Sequence, residues 1–242
     1  MSFTPETQVR EIACAQPSSV RVFEKAGIDY CCGGARKLSD VCAANNLSLD
    51  ELMQRLAQAE AEAQTLENGE DWSRKPLWVL IKHIVEKHHA YVRENDVRLQ
   101  ALIEKVLSRH GDTTPDLAEI RQKFAELRTD MAHHMMKEEQ VLFPYIERME
   151  KAVFAGQAVP PAFFGTVRNP VQAMMNDHDG AGDLVKQIRQ LTNGYAVPEG
   201  ACPTYQAMLR GLEEFERDLH QHVHLENNIL FPRAVRMEQE GR

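Results

Sequence analysis

Two segments of this 242-residue chain repeat each other, and each puts a histidine and a glutamate where a helix should be apolar. His134-Met-Met-Lys-Glu138-Glu-Gln-Val-Leu-Phe-Pro144 matches His222-Val-His-Leu-Glu226-Asn-Asn-Ile-Leu-Phe-Pro232, from 134 to 222 an offset of 88. A bundle helix buries positions alternately three and four apart. On that spacing one seam runs Phe124, Leu127, Met131, His134, Glu138, Val141, Tyr145. Another runs Leu212, Phe215, Leu219, His222, Glu226, Ile229. A third runs Val171, Met174, His178, Ala181, Val185. Residues i and i+4 share one helix face, so each His-x-x-x-Glu pair presents an imidazole and a carboxylate to one point.

A carboxylate in an apolar seam costs several kcal/mol unless a cation faces it. No Lys or Arg occupies these interior positions. A metal ion satisfies both carboxylates and accepts the imidazoles. Each half of the repeat supplies one further histidine: His178 in the second half, and His88 or His89 in the first. Periodicity from Trp78, Ile81, Val85 and Val92 admits either. The repeat offset favours His89, 89 residues before His178. Four histidines and two glutamates suit two metal ions. Imidazole and carboxylate donors favour iron, with manganese and zinc as rivals. His-Glu-x-x-His is absent, so the zincin pattern is excluded.

The rest of the chain reads as all-α. Residues 1–66 form a small helical domain, with helix starts at Thr4-Pro5 and Ser18 or Ser19, a stop at Gly27, and a capping box Ser48-Leu-Asp-Glu51. Inside it lies the loop Asp29-Tyr-Cys-Cys-Gly-Gly34. Residues 67–75 are a polar linker. Residues 76–242 carry four long helical patterns, about 76–108, 115–150, 167–193 and 202–238, joined by Gly/Pro-bearing breaks. Four such helices make an up-down bundle. The Phe-Pro steps at 143–144 and 231–232 are expected to kink two of them. A net charge of −8 argues against a nucleic-acid surface. No signal peptide or membrane-length apolar run is visible, so the expected location is cytoplasmic. Five scattered cysteines without Cys-x-x-Cys argue against a disulfide framework. Cys14, Cys42 and Cys202 are expected to be buried hydrophobes. Arg36 and Lys37 lie where they would favour a thiolate at Cys31-Cys32.

Asp29-Tyr-Cys-Cys-Gly-Gly34, His134-Met-Met-Lys-Glu-Glu-Gln140 and Leu225-Glu-Asn-Asn-Ile-Leu-Phe-Pro232 together resemble the Repair of Iron Centers family over nearly the whole chain. The resemblance implies a hemerythrin-like bundle behind a small cysteine-bearing domain. It implies two non-haem, carboxylate-bridged iron ions on His89, His134, Glu138, His178, His222 and Glu226, with Glu138 and Glu226 bridging. It also implies clients: iron–sulfur proteins damaged by oxidative or nitrosative stress. Cys31 and Cys32 are then redox or transfer candidates. The alternative is a di-iron nitric oxide reductase, or a protein that binds and sequesters NO or O2. No nucleic-acid or membrane partner is expected, and the chain is read as a monomer or homodimer. The connection Val159-Pro-Pro-Ala-Phe-Phe164 is longer than the resemblance leads one to expect.

Overall fold

Helices account for all the regular structure in the computed structural model, which describes residues 3–65 and 71–241. The described residues form two compact units: Met1–Pro76 with Val223–Arg233, and Leu77–His222 with Ala234–Arg242.

The first unit contains four short helices: α1 (Val9–Ala15), α2 (Ser19–Ala26), α3 (Leu38–Ala44) and α4 (Leu49–Thr65). Val9, Ile12, Phe23, Ile28, Leu38, Val41, Leu52 and Leu56 close over one another as its core. α2 stops at Gly27, whose φ of 66° is left-handed, and the chain bonds back from Ile28 N to Phe23 O at 2.9 Å. At α4, Ser48 Oγ accepts the Glu51 amide at 3.4 Å. The helix start expected at Thr4-Pro5 is corrected to Val9. Thr4 and Thr7 form a turn instead, with Thr7 Oγ1 accepting the Thr4 amide at 2.9 Å. α3 had no counterpart in the sequence reading. Leu66 and residues 67–70 of the expected linker lie outside the described residues, and 71–75 are mostly turn.

The second unit is built on four long helices. α5 runs Leu77–His83, turns through a π-helical segment Ile84–His89, and continues Ala90–His110. α6 runs Asp116–Lys137, a π segment Glu138–Leu142, then Phe143–Phe154. α7 spans Arg168–Leu191 without interruption. α8 runs Pro203–His224, a π segment Leu225–Leu230, then Phe231–Glu240, and its stretch Val223–Arg233 is counted with the first unit. Rings join them: Phe215 meets Phe124 edge-on at 5.6 Å and Tyr91 at 6.3 Å. Arg189 on α7 grips Glu216 on α8 with Nε 3.0 Å from both carboxylate oxygens.

The π segments account for two departures from the expected seams. A π turn holds more residues than an α turn, so the inward face slips by one position. On α6 the core position after Glu138 falls on Leu142, and Val141 is only half-buried. On α5 the inward face is Leu77, Leu80, Ile81 and Ile84, while Trp78 is 48% exposed. Pro144 and Pro232 each stand two residues past the end of a π segment. Such a segment moves the carbonyl four residues back away from the proline ring, which an unbroken α-helix cannot do.

The internal repeat reaches further than the matched motif. Glu150, 2% exposed, accepts the Leu77 and Trp78 amides at 2.6 and 2.9 Å and so caps α5. Glu238, 3% exposed, accepts Val167 N at 3.0 Å and the Thr166 and Tyr145 hydroxyls at 2.5 and 3.3 Å, at the start of α7. From 150 to 238 the offset is again 88. Both glutamates sit where helix amide groups lack intrahelical acceptors.

Candidate metal centre

α5 delivers His89, α6 His134 and Glu138, α7 His178, and α8 His222 followed one turn on by Glu226. All six side chains are at most 1% exposed. Their donor atoms fall into two groups. One is His89, Glu138, His222 and Glu226; the other is His134, Glu138, His178 and Glu226. Within each group the donor atoms lie within 4.8 Å of one another. Both carboxylates belong to both groups.

The imidazoles converge in pairs through their Nε2 atoms. His89 and His222 approach to 3.2 Å, His134 and His178 to 3.1 Å. Glu138 Oε2 lies 3.3 Å from His89 Nε2 and 3.2 Å from His134 Nε2. Two nitrogens bound to one ion at about 2.1 Å stand roughly 3.0–3.4 Å apart. An N–H···N hydrogen bond has a similar length. The two fully buried carboxylates, shared between the pairs, add oxygen donors that could hold a metal ion. Nitrogen and oxygen donors of this kind suit a first-row transition ion.

Outer carboxylates aim two of the rings. His89 Nδ1 meets Glu139 Oε1 at 2.6 Å, and Arg93 Nη2 bonds the same oxygen at 2.6 Å. His134 Nδ1 meets Asp177 Oδ2 at 3.3 Å, and Lys137 pairs with that oxygen. With Nδ1 held by a carboxylate, Nε2 is turned inward and made a better donor. Burial pushes the Glu139 carboxyl up, but the bonds from His89 and Arg93 outweigh it and hold it below its usual range. The His134 bond, opposed by burial and helped by Lys137, lowers Asp177 to about 2.

Periodicity could not choose between His88 and His89 because the π segment buries both. His88 serves elsewhere: its Nδ1 meets Asp218 at 2.9 Å, and its ring stacks on His222 at 5.7 Å and 6°. Glu139, Asp177 and Asp218 were missed in the sequence. Only their spacing relative to the ligand histidines hinted at them. His224 is 6% exposed, and burial lowers it to about 4. Its Nδ1 meets Asn228 Nδ2 at 2.9 Å.

Cys31 and Cys32 lie together, Sγ to Sγ 4.0 Å, neither in a disulfide. Asp29 organises the loop by accepting the Cys31, Cys32 and Gly33 amides at 2.9–3.0 Å. Gly34 is required there, because a Cβ would stand 2.5 Å from the Tyr30 carbonyl oxygen. The thiolate expectation is corrected for Cys31. Its bond to Cys32, then burial, then the charges of Cys32 and Asp29 push its thiol well up. Lys37 is engaged with Glu6, and Arg36 bonds the Asp40 carbonyl. Among the other cysteines only Cys42 is buried; Cys14 and Cys202 are half-buried.

Residues 79–234 match the hemerythrin HHE cation binding domain, and residues 5–60 match a domain of unknown function, DUF542. The iron-sulfur cluster repair protein YtfE of Pectobacterium atrosepticum is 36% identical over 228 residues, 94% of this chain and 96% of its own length. The YtfE of Yersinia pseudotuberculosis is 35% identical over 227 residues, with the same coverage. That of Yersinia pestis is 34% identical over 227 residues. This chain belongs to the YtfE family. Its bundle is a hemerythrin-type domain, and its small N-terminal domain is the DUF542 module. The YtfE relatives span both parts. No helix among the described residues is long and apolar enough to cross a membrane.

Proposed function

We propose that this chain is a di-iron protein that takes part in repairing damaged iron–sulfur clusters, acting as a donor of iron. The observation that carries the reading is the pair of buried two-histidine groups sharing Glu138 and Glu226, in a chain alike over 94% of its length to proteins named for cluster repair. On this reading His89 and His222 would hold one iron and His134 and His178 the other, with Glu138 and Glu226 shared between them. Bound there, iron supplies a redox couple and a store of exchangeable ion. Among the chain's own residues, Phe143, 2% exposed, stacks on the His89 ring at 5.8 Å and would help to keep water from the site. Glu139 and Asp177 hold the protons on His89 and His134 Nδ1, so that each Nε2 stays available as a donor.

The domains follow as 1–66, a cysteine-bearing module, and 76–242, the iron-holding bundle. The clients are damaged iron–sulfur proteins in the cytoplasm. NO and O2 are the small ligands, and the assembly is a monomer or homodimer. The test is anaerobic. Iron-loaded protein is mixed with a cluster enzyme inactivated by NO, and both enzyme recovery and iron loss from the donor are followed. Recovery matched to iron loss is expected. Fully loaded protein that restores nothing overturns the proposal, and sustained N2O release with added reductant would move the chain to the reductase class.

A further inference from the structure

The segment Val223–Arg233, which holds Glu226, belongs to the same compact unit as the cysteine module. Contacts within that unit converge on one residue, Asn228, two positions after Glu226 in the same π segment. Its Nδ2 donates to the Tyr30 carbonyl at 3.1 Å, and Tyr30 directly precedes Cys31. The same Nδ2 meets His224 Nδ1 at 2.9 Å. Two acceptors on one nitrogen fix which way the amide faces. The Tyr30 ring lies edge-on to His224 at 5.5 Å. The Asn228 carbonyl accepts the Cys14 thiol at 3.6 Å. That carbonyl is available because the residue four on is Pro232, which has no amide hydrogen. Asn228 is therefore held from both ends, and on its side-chain end it holds the backbone from which Cys31 hangs.

We propose that Asn228 is a positioning residue that couples the Cys31-Cys32 loop to the turn carrying Glu226, so that metal loading and thiol reactivity report on each other. The proposal rests on Glu226 being a metal ligand. A bound ion fixes the Glu226 carboxylate and stiffens the turn Leu225–Leu230. The Tyr30 carbonyl is then held more firmly by Asn228. Cys31, 6% exposed, must open outward to react, and a stiffer anchor makes that opening rarer. Linkage requires the converse: a blocked Cys31 weakens the hold on metal by the same factor.

The experiment uses the full chain, desalted after loading with stoichiometric ferrous ion, beside its metal-free form. Both are alkylated with iodoacetamide, and modification of the Cys31 peptide is followed by mass spectrometry. Metal content is measured by elemental analysis on the same samples. In the native protein, loading is expected to slow Cys31 alkylation at least about fivefold, the lower end of ordinary coupling between sites. In Asn228→Ala the slowing is expected to fall below about twofold at equal metal content. Asn228→Asp, which keeps the size but cannot donate, serves as the second variant and decides if the alanine variant holds no metal. Equal rates in loaded and metal-free native protein overturn the coupling. So does full protection in both variants, which would mean that metal shields the thiols directly. A native protein that takes up no metal instead overturns the ligand reading on which the coupling stands.

Discussion

Glu138→Gln removes a donor from both four-residue groups at once, whereas His89→Gln removes one from a single group. That asymmetry gives a graded outcome. A ligand present at a thousand times its dissociation constant stabilises the folded state by about 4 kcal/mol per site. Two occupied sites therefore contribute about 8 kcal/mol. For a domain of this size each kcal/mol moves the melting temperature by roughly 2–4 °C. Native protein should melt roughly 15–30 °C higher with metal than without. Glu138→Gln should lose nearly all of that difference and bind close to no metal. His89→Gln should lose about half of it and keep about one ion per chain. The assay pairs elemental analysis with circular-dichroism melts of metal-loaded and metal-free samples. If Glu138→Gln retained two ions, or His89→Gln retained none, the shared-carboxylate arrangement would be refuted.

The capping glutamates should behave as a matched pair. Glu150→Ala and Glu238→Ala each strip acceptors from buried donors, at about 1–3 kcal/mol per group left unsatisfied, read as a lower urea midpoint with the metal-free protein. Asp177→Asn lets the His134 ring turn, and an outer partner of this kind is worth roughly 10–100-fold in metal affinity, measurable by competition with a chelator. Burial raises the Cys14 thiol from 9.0 to about 11. It therefore stays protonated at pH 8, and iodoacetamide should label it appreciably only as the pH approaches 11. The preference for the protonated form stabilises the fold below about pH 9 and fades as the pH rises through 11. Labelling of Cys14 at the rate of a free cysteine at pH 8 would contradict its burial. Gly34→Ala drives a Cβ against the Tyr30 carbonyl and Arg10. It should destabilise the small domain by about 1–3 kcal/mol and speed alkylation of Cys31.

The six proposed ligands were legible because helix geometry is local. His134 with Glu138, and His222 with Glu226, are one turn apart, and the turn itself brings each pair to one face. Repetition at a fixed offset then pointed to His178 and His89. The same locality carried the seams of α7 and α8, whose expected positions are buried as read. It failed on α5 and α6, where a π segment shifted the face by a residue and turned both His88 and His89 inward. Nothing in residue-by-residue periodicity announces such a segment.

Sequence alone determined that this chain makes amphipathic helices whose apolar faces are broken by imidazoles and carboxylates. Tertiary structure decided which partners those faces meet. Glu150 reaches an amide 73 positions away, and Asn228 reaches a carbonyl 198 positions away. The Cys31 thiol, expected to ionise beside Arg36 and Lys37, is instead enclosed beside Asp29 while those two cations are engaged elsewhere. The physical reason is the range of the forces involved. Backbone geometry repeats every few residues and can be read from spacing, but burial and hydrogen-bond partners depend on segments that meet only once the chain has closed on itself.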